Sequence, residues 1–171
     1  MNWVSQNRLA LRLAVLAVLI AGLLGPWGYE FIYVPDEYVC TPPYVRVRSN
    51  FCGDPLSGIW FISYLGLGFF SVLGAVVSGQ RSFQDAGREL LSVLAWLPAM
   101  PLIGTLLLTL RPASRGLRGF QLAALLLATG MTVLFITANP DKGDPRLWGP
   151  WLFLVGLLAG LIVEWRLGQA K

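Results

Sequence analysis

Five long apolar runs constrain the fold of this chain more than any other feature of its sequence. They lie at residues 9–27, 56–78, 90–110, 120–138 and 147–167. Each is close to the ~20 residues that cross ~30 Å of hydrocarbon at a helical rise of ~1.5 Å per residue. Because no water satisfies backbone groups at that depth, every run is predicted to be an α-helix. The predicted fold class is therefore an all-α integral membrane protein.

Composition and spacing indicate a single domain. Only 13% of the 171 residues are charged, whereas soluble domains contain about a quarter. The polar segments between the runs are short except for residues 29–55, which leaves no room for a second folded unit. We predict one polytopic membrane domain over residues 1–171, built as a compact bundle of five apolar helices with one structured external loop at 29–55.

Both cysteines of the chain, Cys40 and Cys52, lie in that loop. A loop of this size buries little apolar area, and a bond that closes about a dozen residues would stabilise it by ~3 kcal/mol. We therefore predict a Cys40–Cys52 disulfide, which requires an oxidising compartment and puts the loop outside the cytoplasm. Short strands are predicted at 44–48, where side-chain type alternates, and at the β-prone residues 31–34.

The same loop contains side chains that are typical of the centres of protein interfaces, where aromatic residues and arginine are enriched. They are Tyr38, Tyr44, Arg46, Arg48 and Phe51. Two adjacent prolines and a disulfide reduce the conformational entropy of the loop, which favours a surface of fixed shape. These five residues are predicted to contact an external partner, although a solvated loop with no partner explains the same composition.

Charge and hydropathy disagree about the number of membrane crossings. With five spans and a cytoplasmic amino terminus, Arg111, Arg115 and Arg118 would lie outside, against the positive-inside rule. Pro98 and Pro101 also interrupt the third run, and each disfavours helix at the residue before it. Five spans remain the primary prediction, because membrane helices tolerate proline. The alternative is four spans and a re-entrant third segment, with a cytoplasmic carboxyl terminus.

The sequence lacks the residue patterns of catalysis and of metal or cofactor binding. It contains no histidine, and its two cysteines are too far apart for a thiol-redox motif. We therefore predict no catalytic residue, metal site, cofactor or self-ligated haem, and no enzymatic activity. Arginines cluster beside the apolar runs, which indicates contact with lipid headgroups and not with nucleic acid. Arg12 and Glu164, each near a run end, are interpreted as interfacial anchors whose side chains reach the membrane surface.

Small residues spaced four apart mark helix faces that can approach other helices closely. The pairs are Gly156 and Gly160, Gly74 and Ser78, and Ala124 and Ala128. Tryptophans near the run ends are typical of an aromatic belt at the membrane surface. They are Trp27, Trp60, Trp148, Trp151 and Trp165.

These features favour a non-catalytic integral subunit or scaffold of a larger membrane assembly. Its helix faces would contact membrane lipids and other integral membrane proteins. Its disulfide-closed loop would contact an external partner. The excess of arginine over lysine and the lack of Asn-x-Ser/Thr sequons favour a bacterial inner membrane. The alternative is a small transporter or channel for an apolar or lipidic substrate. Its path would be lined by Ser63, Ser71, Thr105, Thr109 and Thr132.

Overall fold

The computed structural model describes residues 7–35, 39–41, 45–48, 51–80, 82, 86, 97–111, 115–138 and 147–169. Within these ranges the chain forms five α-helices and one small sheet. The elements are α1 (Arg8–Leu24), β1 (Pro26–Tyr33), β2 (Val45–Arg48), β3 (Phe51–Ser57), α2 (Gly58–Val77), α3 (Met100–Leu110), α4 (Arg115–Ala138) and α5 (Gly149–Gln169).

The prediction of a mostly helical protein with long apolar helices is confirmed. By length and composition, α2, α4 and α5 could each cross a membrane. The third run is different, because its described helix α3 has only 11 residues, about 16 Å at the usual helical rise. Residues 90–96 of that run lie outside the described part of the chain. The fourth helix begins at Arg115, earlier than its run predicted, so it also carries Arg118.

Helices α1 and α5 pack antiparallel over their whole length. Residue numbers that increase along α1 face residue numbers that decrease along α5. This follows from one hydrogen bond and from the atoms that lie closest to three glycines. The facing pairs are Arg12 with Glu164, Val15 with Gly160, Leu19 with Gly156, and Gly22 with Phe153. The start of α1 and the end of α5 therefore lie at one end of the bundle. We call it the cluster end, because the charged side chains of Arg12, Arg118 and Glu164 lie together there.

Close approach of these helices depends on glycine. A Cβ atom added to Gly22 would lie 2.6 Å from backbone atoms of Phe153, and one on Gly156 would lie 2.9 Å from Leu19. Contacts that short do not occur between real side chains, so a larger residue would push the helices apart. The absence of a side chain at Gly22 lets α1 pack directly against the backbone of α5, whereas Gly156 makes room for the side chain of Leu19.

Helices α3 and α4 complete the bundle. A Cβ atom on Gly160 would lie 3.0 Å from Leu125 of α4, and Arg118 near the start of α4 approaches Glu164 near the end of α5. Helix α4 is therefore antiparallel to α5. The core contains side chains with no solvent exposure from three helices, namely Leu19, Leu125, Ala128, Phe153 and Leu157.

Trp27 belongs to this core and not to an aromatic belt, which corrects the prediction for that residue. It is 5% exposed, and its ring lies 5.3 Å from Phe135 and 5.5 Å from Phe153. Its indole nitrogen donates a hydrogen bond to the Gly22 carbonyl at 2.8 Å, which satisfies the polar tip of a buried ring. The other four tryptophans of the predicted belt are exposed.

Helix α2 packs against the four-helix core near its start, where Ile62 is half-buried. Ser57 caps the helix by accepting a hydrogen bond from the Trp60 amide at 3.2 Å. The Gly58 amide donates to the Gly25 carbonyl at 3.2 Å, which ties the start of α2 to the end of α1. In its most apolar stretch, none of the residues whose burial is described is buried.

The loop between α1 and α2 forms a three-stranded antiparallel sheet in the order β1-β3-β2. This confirms the strand predicted at 44–48, which forms over 45–48, and the β-prone stretch at 31–34, of which residues 31–33 end β1. The central strand β3 is not predicted from the sequence, since Gly53 and Pro55 are both unfavourable in strands. Pro55 is tolerated because β2 pairs only with residues 51–53, so β3 has an open edge at Pro55.

The predicted disulfide is confirmed. Cys40 and Cys52 are bonded, with their Cα atoms 5.8 Å apart. Cys52 lies in β3 and is buried, whereas Cys40 lies in the segment that connects β1 to β2. The bond therefore holds this connection against the central strand of the sheet.

Candidate functional site

A buried ion pair at the cluster end is the most polar feature of the bundle. Arg12 of α1 and Glu164 of α5 have side chains that are only 3% and 4% exposed. The Arg12 Nε donates to Glu164 Oε1 at 2.7 Å, and a terminal nitrogen of Arg12 donates to Oε2 at 3.0 Å. Such a two-pronged contact is the strongest geometry for an arginine–carboxylate pair.

The same arginine also bonds the backbone of a third helix. Its remaining terminal nitrogen donates to the Leu108 carbonyl of α3 at 2.8 Å. Leu108 lies in the last turn of α3, where carbonyl groups have no partner within their own helix. A positive charge there also interacts favourably with the negative end of the helix dipole. Arg12 thus joins α1, α3 and α5 at one depth.

A second arginine lies beside this pair. Arg118 of α4 has its Nε 3.8 Å from Glu164 Oε2, and its side chain is 18% exposed. That nitrogen is buried and has no hydrogen-bond partner among the described residues. One carboxylate therefore lies between two guanidinium groups, and all four helices of the core contribute a group to the cluster.

An uncharged network continues from the cluster between α3 and α4. The side-chain amide nitrogen of Gln121 donates to the Thr105 hydroxyl at 2.7 Å and to the Pro101 carbonyl at 3.1 Å. The Gln121 oxygen packs against Gly104, where a side chain of any size would overlap it. The two hydrogen bonds join α3 to α4 at this level, whereas the buried Gln121 oxygen has no hydrogen-bond partner among the described residues.

The burial of Arg12 and Glu164 corrects their interpretation as interfacial anchors. Both groups face inward and bond each other, so neither side chain extends to the surface. One sequence signal points to this pairing. Arg12 lies near the start of the first run and Glu164 near the end of the last, so antiparallel packing of the two runs puts opposite charges at one depth.

The six small residues predicted for helix packing fall into two groups. Gly156, Gly160, Ala124 and Ala128 are all buried inside the bundle. Gly74 and Ser78 of α2 are exposed, and a Cβ atom on Gly74 would meet no described atom within 4 Å. The motifs of α4 and α5 therefore serve internal contacts, whereas the motif of α2 faces away from the core.

The predicted contact residues of the loop are only partly described. Tyr38 and Tyr44 lie outside the described residues, and for Arg46 and Arg48 only the backbone in β2 is described. Phe51 begins β3, and its ring contacts Tyr33 of β1 edge to face at 5.6 Å. A contact role for these residues stays a prediction.

The hydroxyl side chains of the transporter alternative lie on three helices and differ in exposure. Ser63 and Ser71 are exposed on α2. The hydroxyls of Thr105 and Thr132 are buried, and each donates to the carbonyl four residues earlier in its own helix. Thr132 lies about 16 Å further along α4 than Gln121, the partner of Thr105. A transport path along these residues stays a prediction.

The described residues contain no group of three or more metal-ligating side chains that could hold an ion. Each donor nitrogen of Arg12 and both oxygens of Glu164 already have a partner, whereas Arg118 Nε has no hydrogen bond among the described residues. No family model, curated protein or solved structure matches this chain.

Proposed function

We propose that the chain is an integral membrane protein with an even number of crossings and both termini on the same side. In a five-span protein the first and last helices would run in the same direction. Helices α1 and α5 are antiparallel and are joined by the Arg12–Glu164 pair. This geometry supports four spans with a re-entrant third segment, of which the short helix α3 would be the returning part.

Charge and redox chemistry agree on the orientation. The cluster end holds five further arginines near helix ends. They are Arg8, Arg111, Arg115, Arg118 and Arg166. By the positive-inside rule this end faces the cytoplasm. The disulfide-closed sheet follows the opposite end of α1, and a disulfide indicates an oxidising compartment. The two criteria are independent, and they support a bacterial inner-membrane protein with its sheet outside.

A reporter fused after Lys171 tests this topology. We expect activity from a reporter that works only in the cytoplasm, and none from one that requires export. A fusion between Arg111 and Arg115 should give the same cytoplasmic result, and a fusion in the loop near Thr41 should give the external one. A carboxyl terminus on the outside would contradict the even number of crossings.

Within this topology we propose that the protein is a non-catalytic subunit or scaffold that binds a partner span through α2. The observation that carries the proposal is the exposed small-residue strip of α2, which we define as Ser71, Gly74 and Ser78. These residues are spaced three and four apart and so lie on one face. All three are exposed in the isolated chain. Such strips allow helices to approach closely in membranes.

The remainder of α2 supports the same role. Bulky side chains surround the strip and are also exposed, including Tyr64, Leu67, Phe70 and Val77. A helix this apolar requires lipid or protein around it, and a close-packed partner helix would match the small-residue strip. The small-residue motifs of α4 and α5 are meanwhile used inside the four-helix core, which leaves the motif of α2 for assembly.

Co-purification from native membranes in mild detergent tests the proposal. We expect the wild-type chain to retain one membrane protein in stoichiometric amount, and Gly74→Leu to lose most of it, because the added side chain blocks close helix approach. Gly130→Leu is the matched control, since Gly130 of α4 also has no described atom within 4 Å of an added Cβ. Equal retention by both variants would argue against α2 as the contact face.

A further inference from the structure

A surface groove between α4 and α5 is apolar along one part and polar at one end. Its apolar part is lined by Leu122 and Leu126 of α4 and by Leu161 and Ile162 of α5. Its other end is lined by Trp165, Arg166 and Gln169, which belong to the last turns of α5 at the cluster end. We propose that this groove binds one acyl chain of an anionic phospholipid whose phosphate contacts Arg166.

The direction of the polarity matches a lipid in the leaflet at the cluster end. A phospholipid presents its charged headgroup at the membrane surface and extends its acyl chains toward the middle of the bilayer. The groove has its cation near the end of α5 and its leucines further from that end. This inference rests on the membrane location proposed above, but the orientation of the groove is read from α4 and α5 alone.

The charge at the polar end is available for a ligand. Arg166 is exposed, and the structure shows no ion pair for it with any described acid. The carboxylate closest in sequence, Glu164, faces the core and bonds Arg12. Trp165 beside it has the amphipathic ring that is favoured at the level of lipid headgroups. A guanidinium group binds phosphate oxygens well, because its donors match their geometry.

The size of the lining residues favours a lipid chain over a protein helix. Closely packed membrane helices meet through small residues, as in the α1–α5 contact. The groove is lined by leucine, isoleucine and tryptophan instead. A flexible acyl chain can follow such a surface, whereas a helix backbone would be held away from it. The small-residue strip of α2 is the contrasting case in the same chain.

Native mass spectrometry of the purified full chain with added lipid tests the inference. We expect phosphatidylglycerol to be retained in preference to phosphatidylcholine of the same chain length. Arg166→Gln should lower the affinity for phosphatidylglycerol about fivefold, the usual effect of one basic side chain near an anionic surface. Arg166→Lys should keep most of the preference. Ile162→Trp, which fills the groove, should weaken binding of both lipids.

Arg115→Gln is the matched control, because Arg115 is also an exposed arginine at the cluster end but does not line the groove. Equal retention of the two lipids would overturn the inference, and so would an equal loss in Arg115→Gln and Arg166→Gln, or unchanged binding in Ile162→Trp. The measurement is made in detergent and does not depend on the reporter fusions. A failed topology and a failed lipid site are therefore distinguishable.

Discussion

Replacement of Arg12 with leucine is expected to lower the free energy of unfolding by about 3 to 5 kcal/mol, which is the usual cost of breaking a buried ion pair by removing one partner. The substitution leaves the buried Glu164 carboxylate with only Arg118, whose Nε is 3.8 Å away. It also leaves the Leu108 carbonyl at the end of α3 without its donor. Thermal and denaturant unfolding in detergent, followed by tryptophan fluorescence, would measure the loss.

Two variants separate the ion pair from general effects of charge. Arg8→Leu removes an arginine one turn earlier on α1 that is exposed, and it should change stability by less than about 0.5 kcal/mol. Arg12→Leu combined with Glu164→Leu should be more stable than Arg12→Leu alone, because no unpaired carboxylate remains. A double variant that loses the sum of the two single effects would show that the two side chains are not coupled.

Loss of the Cys40–Cys52 bond is expected to destabilise the sheet by about 3 kcal/mol and to leave the helices folded. The bond spans 12 residues, and closing a loop of this length raises the free energy of the unfolded state by that order, because it lowers the chain entropy of that state. The sheet buries little apolar area of its own, so it has few other contacts to compensate. Limited proteolysis of the double variant Cys40→Ser with Cys52→Ser should cut first between β1 and β3.

Reduced wild-type protein is the matched control for this variant. It retains both sulfur atoms and lacks only the bond, so its proteolysis should resemble that of the double serine variant. Resistance of the reduced protein together with cleavage of the serine variant would assign the effect to the buried Cys52 side chain and not to the bond. Helical circular dichroism should be unchanged in both samples.

The helices and the disulfide could be predicted because they depend on local properties of the chain. An apolar run of about 20 residues favours a membrane-length helix, and α2, α4 and α5 follow their runs, whereas the described helix of the third run has only 11 residues. Cys40 and Cys52 are near in sequence, so their pairing required little knowledge of the fold. Strand β3 was missed because its residues are unfavourable in isolation and are accepted as the central strand between β1 and β2.

The cluster depended on the tertiary structure. Arg12 and Glu164 are 152 residues apart, and hydropathy near a helix end is the same whether a charged side chain reaches the surface or turns inward. Whether the side chain points outward or inward depends on the rotation of each helix about its axis. That rotation depends in turn on the close contact that the glycines of α1 and α5 allow between the two helices.

The sequence by itself therefore determined which segments are helical and which cysteines can bond, since both follow from composition and short-range spacing. Only the tertiary structure decided that Gly156 and Gly160 are used inside the bundle while Gly74 remains exposed, although all three occur in the same kind of motif. The reason is physical. A small residue permits close approach by any neighbouring helix. Which helix becomes the neighbour depends on packing between segments that are distant along the chain.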